Sequence, residues 1–134
     1  MPYSDFKPLI SSYVNSRWQQ HWNSETSNKL HSIQPTIKPV VFCRLPRRDE
    51  VLIHRLRVGH TYLTHSHLLH RENPPECDVC RLPLTVEHIL ITCSKYNDVS
   101  QTQFTVSSLE ELFSKVSIRI VVNYVKEIGL YRKI

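Results

Sequence analysis

Four soft donor side chains fall within residues 77–93 at the spacing C-x2-C-x7-H-x4-C: Cys77, Cys80, His88 and Cys93. Two cysteines separated by two residues form a knuckle whose thiolates converge on one point. A histidine and a third cysteine a few residues apart complete a tetrahedral Cys3His shell, the chemistry of a structural zinc site. Pro74, Pro75 and Asp78 favour a turn at the knuckle. Thr85 is placed to cap a short helix that projects His88 toward the cysteines. Cys93 follows His88 by five residues, about 140° round an ideal α-helix, so the helix is expected to tighten or end near Thr92 to bring the thiol back. The bland reading makes Cys77, Cys80 and Cys93 buried small hydrophobes. Against it, three of the four cysteines and a histidine share one short stretch at metal-ligand spacing. Cys43, the odd cysteine, is read as a buried hydrophobe and as the first substitute should one ligand fail.

A chain of 134 residues with 40% hydrophobic content fits one small domain over 1–134 with a modest core. A core of that size is marginal enough for a metal ion to matter to folding. Two glycines in the whole chain speak against a phosphate-cradling Gly-rich loop and against a turn-rich all-β fold. No apolar run reaches membrane-span length and the start Met1-Pro2-Tyr3-Ser4-Asp5 lacks a signal-peptide layout. The expected location is therefore intracellular, nuclear or cytoplasmic, where a metal site accounts for the cysteines better than disulfides do. Charge is uneven: ten Lys/Arg face four Asp/Glu in residues 1–71, and seven face eight in 72–134. A basic half beside a near-neutral half suggests a one-sided surface for a polyanion.

Taken in order, Ser4 caps a helix over about Asp5–Asn23, with Pro8 in its first turn. Phe6, Leu9, Ile10, Tyr13, Val14, Trp18 and Trp22 form one apolar stripe; Lys7, Ser11, Asn15, Gln19 and Asn23 lie opposite. The tryptophans read as core or as a stacking platform for bases. After a polar turn ending the first segment at residue 28, Lys29–Ile33 and Pro39–Cys43 look extended, either two short strands or an ordered connector. Residues 47–71 hold a basic helix opened by Arg47-Arg48-Asp49-Glu50, with Val51, Leu52, Leu56 and Val58 apolar and Gly59 as the stop, followed by a His-rich segment. His65 and His67 invite a second metal site, but no carboxylate or thiol lies near in sequence to complete it. Ser94–Gln103 reads as a polar loop with a frayed turn. In 107–134, Ser108-x-x-Glu111 is a capping box for a helix through Leu112, Phe113 and Val116. Ser117 then caps another, closed by Gly129, with Ile118, Val121, Val122, Val125 and Ile128 inward. These C-terminal helices are expected to pack with the first helix. The resulting fold class is mainly α: a small helical domain stapled by one Cys3His zinc unit at 74–93, with room for two short strands.

The run Arg55-Leu56-Arg57-Val58-Gly59-His60-Thr61-Tyr62-Leu63-Thr64, followed by Pro74-Pro75-x-Cys77-x2-Cys80 and Thr85-Val86-Glu87-His88-Ile89-Leu90 with Cys93, resembles the C-terminal tail of jockey-type non-LTR retrotransposon polyproteins. There a cysteine/histidine segment of this spacing follows a reverse transcriptase and often a ribonuclease H domain. The flanks Tyr3–Ile10 and Ser108–Tyr131 resemble the same tails, so the likeness covers most of the chain. It implies a zinc-binding accessory module that helps engage template RNA or target DNA, with the polymerase or ribonuclease H domains as further partners.

No Tyr-x-Asp-Asp signature occurs and the acidic residues are too scattered for a two-metal centre, so the expectation is a non-catalytic chain. For nucleic acid, Arg44, Arg47, Arg48, Arg55 and Arg57 are the candidate phosphate contacts, with His60, Tyr62 and Arg81 candidates for bases or sugars. A solvated helix face explains the arginines nearly as well. The alternative function is a structural or protein-interaction tail that docks on a polymerase body, with zinc only as a fold staple. Zinc hydrolysis ranks third, since four protein ligands close the shell that catalysis needs open.

Overall fold

The computed structural model describes residues 3–38 and 44–134. They are mainly helical, in the order α1 (Tyr3–Ser24), α2 (Lys29–Ile33), α3 (Arg47–Val58), α4 (Tyr62–His70), a π-turn (His88–Thr92), a 3-10 turn (Ser94–Tyr96), α5 (Asn97–Gln103), α6 (Leu109–Lys115) and α7 (Ile118–Glu127). The mainly helical class expected from the sequence holds. The described residues contain no strand, and one isolated antiparallel bridge, Glu76 with Pro83, closes the base of the cysteine knuckle. Lys29–Ile33, expected to be extended, is helical because Asn28 accepts a capping bond from the Leu30 amide at 2.9 Å. The second candidate strand, 39–43, and Cys43 with it, lie outside the described residues.

Where the sequence suggested one domain, the chain divides into two compact units, Met1–Val41 and Phe42–Ile134. In the first, α1 starts at Tyr3, so Ser4 is a helical residue instead of a cap and Pro8 sits more than a turn in, where it removes one ladder bond. Gln19, assigned to the polar face, turns out to be the clasp. Its amide donates to Pro35 O at 2.8 Å and accepts from the Ile37 amide at 2.9 Å, while the Trp22 indole donates to Gln34 O at 2.8 Å. Ile33 is the one buried side chain among those described in this unit. The apolar stripe of α1 is exposed, from 41% at Phe6 to 71% at Leu9, and Trp18 with it. The described core cluster draws none of its members from α1.

The second unit holds that core. Leu52, Ile53 and Leu56 of α3, Val86, Ile89 and Leu90 around the π-turn, Phe104, Leu112 of α6, and Val121, Val122, Tyr124 and Val125 of α7 form one buried cluster. Each fully buried aliphatic side chain contributes roughly 1.5–3 kcal/mol by leaving water. Ser94–Gln103, read as a loop, is a 3-10 turn continuing into α5, which packs on α7 and on the π-turn. Along α3 the buried positions are Asp49, Leu52, Ile53, Leu56 and Arg57, a regular helical stripe with a charge at each end. Val58, expected inward, is half exposed. Gly59 ends the helix as expected, at φ 72°, with the His60 amide reaching back to Arg55 O at 3.1 Å.

Two caps differ in detail from their sequence signatures. Ser108 caps α6 through the Glu111 amide at 3.1 Å, but the Glu111 carboxylate accepts from the amide and hydroxyl of Ser107 instead of returning to Ser108. Ser117 precedes α7 without a side-chain capping bond. The helix closes as anticipated at Gly129, φ 73°, where the Leu130 amide bonds Val125 O at 3.1 Å.

Candidate functional site

The knuckle is built by backbone bonds. The Cys77 amide donates to Leu82 O at 2.8 Å, the Arg81 amide to Cys77 O at 2.9 Å, and the Leu84 amide to Pro75 O at 2.9 Å. Arg81 takes up a left-handed conformation, φ 57°, to turn the chain away after Cys80. Across from it, Thr85 accepts the His88 amide at 3.0 Å, the cap expected from the sequence. The chain from His88 does end its helical run at Thr92, but it widens instead of tightening. The Cys93 amide bonds His88 O at 2.8 Å, an i to i+5 closure that sets Cys93 above His88 instead of 140° away.

That widening leaves a carbonyl to be satisfied. In an α-helix the Cys93 amide would bond Ile89 O; here the buried Tyr124 hydroxyl donates to Ile89 O at 2.8 Å. Burial pushes the Tyr124 phenol well above its ordinary range, so it stays a donor. Tyr124 also meets Phe104 edge-on at 5.0 Å between ring centres. Its contribution to the site was not foreseen from the sequence. The only signal was an aromatic with a polar tip on the inward side of α7, next to Val121 and Val125.

The donor atoms of Cys77, Cys80, His88 and Cys93 all lie within 4.8 Å of one another, the one such group among the described residues. The Cys93 sulfur is 3.7 Å from that of Cys77 and 3.9 Å from that of Cys80. Thiolates at about 2.3 Å from a common tetrahedral ion would stand about 3.8 Å apart, so the spacing fits a metal. The histidine supplies an independent test. Its Nδ1 is held 3.1 Å from the Thr92 hydroxyl, while its Nε2 is buried with no hydrogen-bond partner. A buried orphan imidazole nitrogen beside three free thiols would be satisfied by coordination, with Thr92 fixing the ring. These four residues can hold a metal ion.

The surroundings tune the thiols in opposite directions. The Ser94 hydroxyl, 3.1 Å from Cys80, favours its thiolate and brings its pKa down to about 7, whereas burial pushes Cys93 up to about 11. Outside the donors, Lys95 grips both oxygens of Asp78 at 3.0 and 2.9 Å, tying the knuckle to the turn after Cys93. That contact lowers the Asp78 carboxyl and raises the Lys95 ammonium. Val86, Ile89 and Leu90 carry the same segment into the core, so the site and the core share one stretch of backbone.

The candidate nucleic-acid residues are only partly brought together. Arg48, Arg55 and Tyr62 line one cleft of about 260 Å³, together with Tyr131, Arg132 and Lys133. Arg48 lies over the Tyr131 ring at 4.8 Å, and Arg55 donates from Nη1 to Ile134 O at 2.6 Å. Arg132 and Lys133 were not singled out from the sequence because they are 75 or more residues from the arginines of α3. Arg44, Arg47 and Arg81 are exposed but are not among the lining residues, and Arg47 pairs with Glu50 at 3.8 Å. Arg57 is a correction. It is buried, lies over the Phe113 ring at 5.5 Å, and has its pKa lowered by desolvation, because residues i and i+2 point to different sides of a helix. His60 is exposed and stacks on His65 at 3.5 Å between ring centres. No thiol or carboxylate joins His65 and His67 into a second metal group among the described residues.

No helix among the described residues is long and apolar enough to cross a membrane. No family model, curated protein or solved structure matches the chain.

Proposed function

We propose that this chain is a zinc-stapled nucleic-acid-binding accessory module, non-catalytic by itself, of the kind its sequence resembles at the C-terminus of jockey-type retrotransposon polyproteins. In such a setting it would assist reverse transcription or target engagement beside polymerase or ribonuclease H domains. Three thiolates and an imidazole at tetrahedral spacing favour zinc over harder ions, and four protein ligands leave no open position for catalysis. The metal would hold the knuckle against the π-turn.

The observation that carries the nucleic-acid reading is the cleft between α3 and the C-terminal turn. Four cations, Arg48, Arg55, Arg132 and Lys133, line it with two tyrosines, and Ile134, which lines it too, engages Arg55 through its main-chain oxygen. Asp49, the nearest acid on α3, is occupied by the Tyr131 hydroxyl and by Lys126 at 3.7 Å. Binding of labelled RNA and DNA to the metal-loaded protein between about 50 and 200 mM salt tests it, with a log–log slope worth several phosphates expected. Replacing Arg48 and Arg55 together by Gln should lower that slope by about one per lost contact with metal content unchanged. Absence of binding at low salt overturns the reading.

A second reading, a protein-interaction tail, rests on α1, whose Leu9, Ile10, Tyr13, Val14 and Trp18 are all more than half exposed. It would be favoured by wild-type salt dependence in the Arg48/Arg55 variant.

A further inference from the structure

The cationic cleft has a neighbour of different chemistry. A second cavity of about 330 Å³ is lined by Arg55, Tyr62, His60, His65, Leu68 and Leu69, with Thr61 and Ser66. Arg55 and Tyr62 belong to both. On one side of this shared pair stand Arg48, Arg132 and Lys133. On the other stand an imidazole stack and two exposed leucines, Leu68 at 62% and Leu69 at 78%.

Building from the residues, α4 is fixed at its start by a reciprocal Thr61/Thr64 cap. The Thr64 amide bonds the Thr61 hydroxyl at 3.2 Å and the Thr61 amide bonds the Thr64 hydroxyl at 3.3 Å, both residues being buried. The Thr64 hydroxyl also meets His65 Nδ1 at 2.6 Å, which fixes the inner imidazole. His60 lies on it with 24° between the planes, and His60 and Tyr62 are both exposed. The arrangement presents flat rings and aliphatic side chains within reach of a guanidinium.

Resting on the nucleic-acid reading above, we propose that the two adjoining cavities form one groove for single-stranded nucleic acid, in which the backbone phosphate sits among Arg48, Arg55, Arg132 and Lys133 and one unpaired base enters the cavity beside Tyr62 and His60. A base inside a duplex has both faces covered by its neighbours and offers only its edges. A cavity walled by ring faces and leucines therefore selects a splayed base, and it does so with little sequence preference because every base has a π-face. Arg55 joins the two halves. One of its N–H donors is engaged at Ile134 O, which holds the guanidinium at the boundary between phosphate and base.

The test titrates the metal-loaded chain of residues 1–134 against a fluorescein-labelled single-stranded oligopyrimidine, as RNA and as DNA, and against a hairpin duplex of equal length. The single strand should bind at least about tenfold tighter than the duplex. Tyr62→Ala should weaken single-strand binding about 5- to 150-fold, with the salt slope and duplex binding unchanged, while Tyr62→Phe stays near the parent. His60→Ala provides the same comparison should Tyr62→Ala not fold. Equal affinity for duplex and single strand with an intact salt slope overturns the groove and leaves the function standing, as does Tyr62→Ala binding like the parent. No binding of either form at low salt overturns both.

Discussion

The helices α1 and α7 both carry apolar residues at helical spacing, but α7 gathers them on one face far more sharply than α1, and in the structure the stripe of α1 is exposed while that of α7 is buried. In α7, Val121, Val122, Tyr124 and Val125 close on α3, α5 and the π-turn. In α1, a more diffuse stripe has, among the described residues of its unit, a five-residue helix and the segment 34–38 beside it, and these dock through Gln19 and Trp22 on hydrogen bonds to backbone. The sharpness of the apolar face and the partner beside it together decide whether such a face is buried. The two units should accordingly differ in what holds them: apolar burial and a Cys3His group able to hold a metal in Phe42–Ile134, a few polar clasps in Met1–Val41.

The sharpest separation between them is metal removal. Because the ligands and the core residues Val86, Ile89 and Leu90 share one backbone segment, stripping the metal should unfold most of the second unit, an effect of many kcal/mol. Protection from amide exchange should then be lost over residues 77–125 while α1 keeps the protection it had. Cys77→Ser and His88→Ala should likewise lose the metal, and Cys43→Ser should keep it. Unchanged exchange in the second unit after verified metal loss would refute a structural role for the site.

Next in size is Leu112→Ala. This side chain of α6 is fully buried, and its truncation should cost about 2–5 kcal/mol in the second unit's unfolding. Tyr124→Phe should cost about 1–3 kcal/mol, because it strands the Ile89 carbonyl released by the π-turn, and it should weaken metal binding without touching a ligand. A competition titration with a chelator reads that second effect. Parent-like metal affinity in Tyr124→Phe would show that the π-turn stands without its brace.

These residues also mark how far the sequence could be read. The metal ligands were legible because all four lie within one short stretch, where spacing alone implies convergence. The way Cys93 converges was not, since α, 3-10 and π closures are chosen by what the turn must meet, and its brace comes from 35 residues away. Caps at Thr85, Ser108, Gly59 and Gly129 were legible because their partners are local. Arg57 was misread as surface, and Asp49 was read only as part of the helix opening, because their charge concealed that they continue the buried stripe of α3, Asp49 against Tyr131 and Lys126 and Arg57 against Phe113. The α4 helix was missed for a related reason: its start depends on a threonine pair instead of the usual acidic cap partner.

In the first unit, Trp22→Phe removes the indole donor to Gln34 O while keeping most of the ring. The expected loss is about 0.5–1.5 kcal/mol, confined to exchange protection in 19–37, with metal content unaltered. A loss of that size in the second unit instead would contradict the division into separately stabilised parts.

The smallest effect tests electrostatics on α6. Lys115, at 2.7 Å, and the amide and hydroxyl of Ser107 hold the Glu111 carboxyl at about 2 against an ordinary 4.5. A depressed folded pKa means that the unfolded chain binds the proton more readily, so the carboxylate's contribution is complete above pH 4.5 and falls away as pH drops toward 2. Lys115 titrates oppositely, its raised pKa keeping the pair intact until strongly alkaline pH. The pair is exposed enough for salt to screen it, so the contribution should shrink with added salt. Acid also protonates the thiolate ligands, so the informative quantity is the difference in Tm between the parent and Glu111→Gln at each pH. That difference should be largest above pH 4.5 and narrow toward pH 2, and a difference independent of pH would mean that Glu111 acts only as a neutral hydrogen-bond acceptor for Ser107.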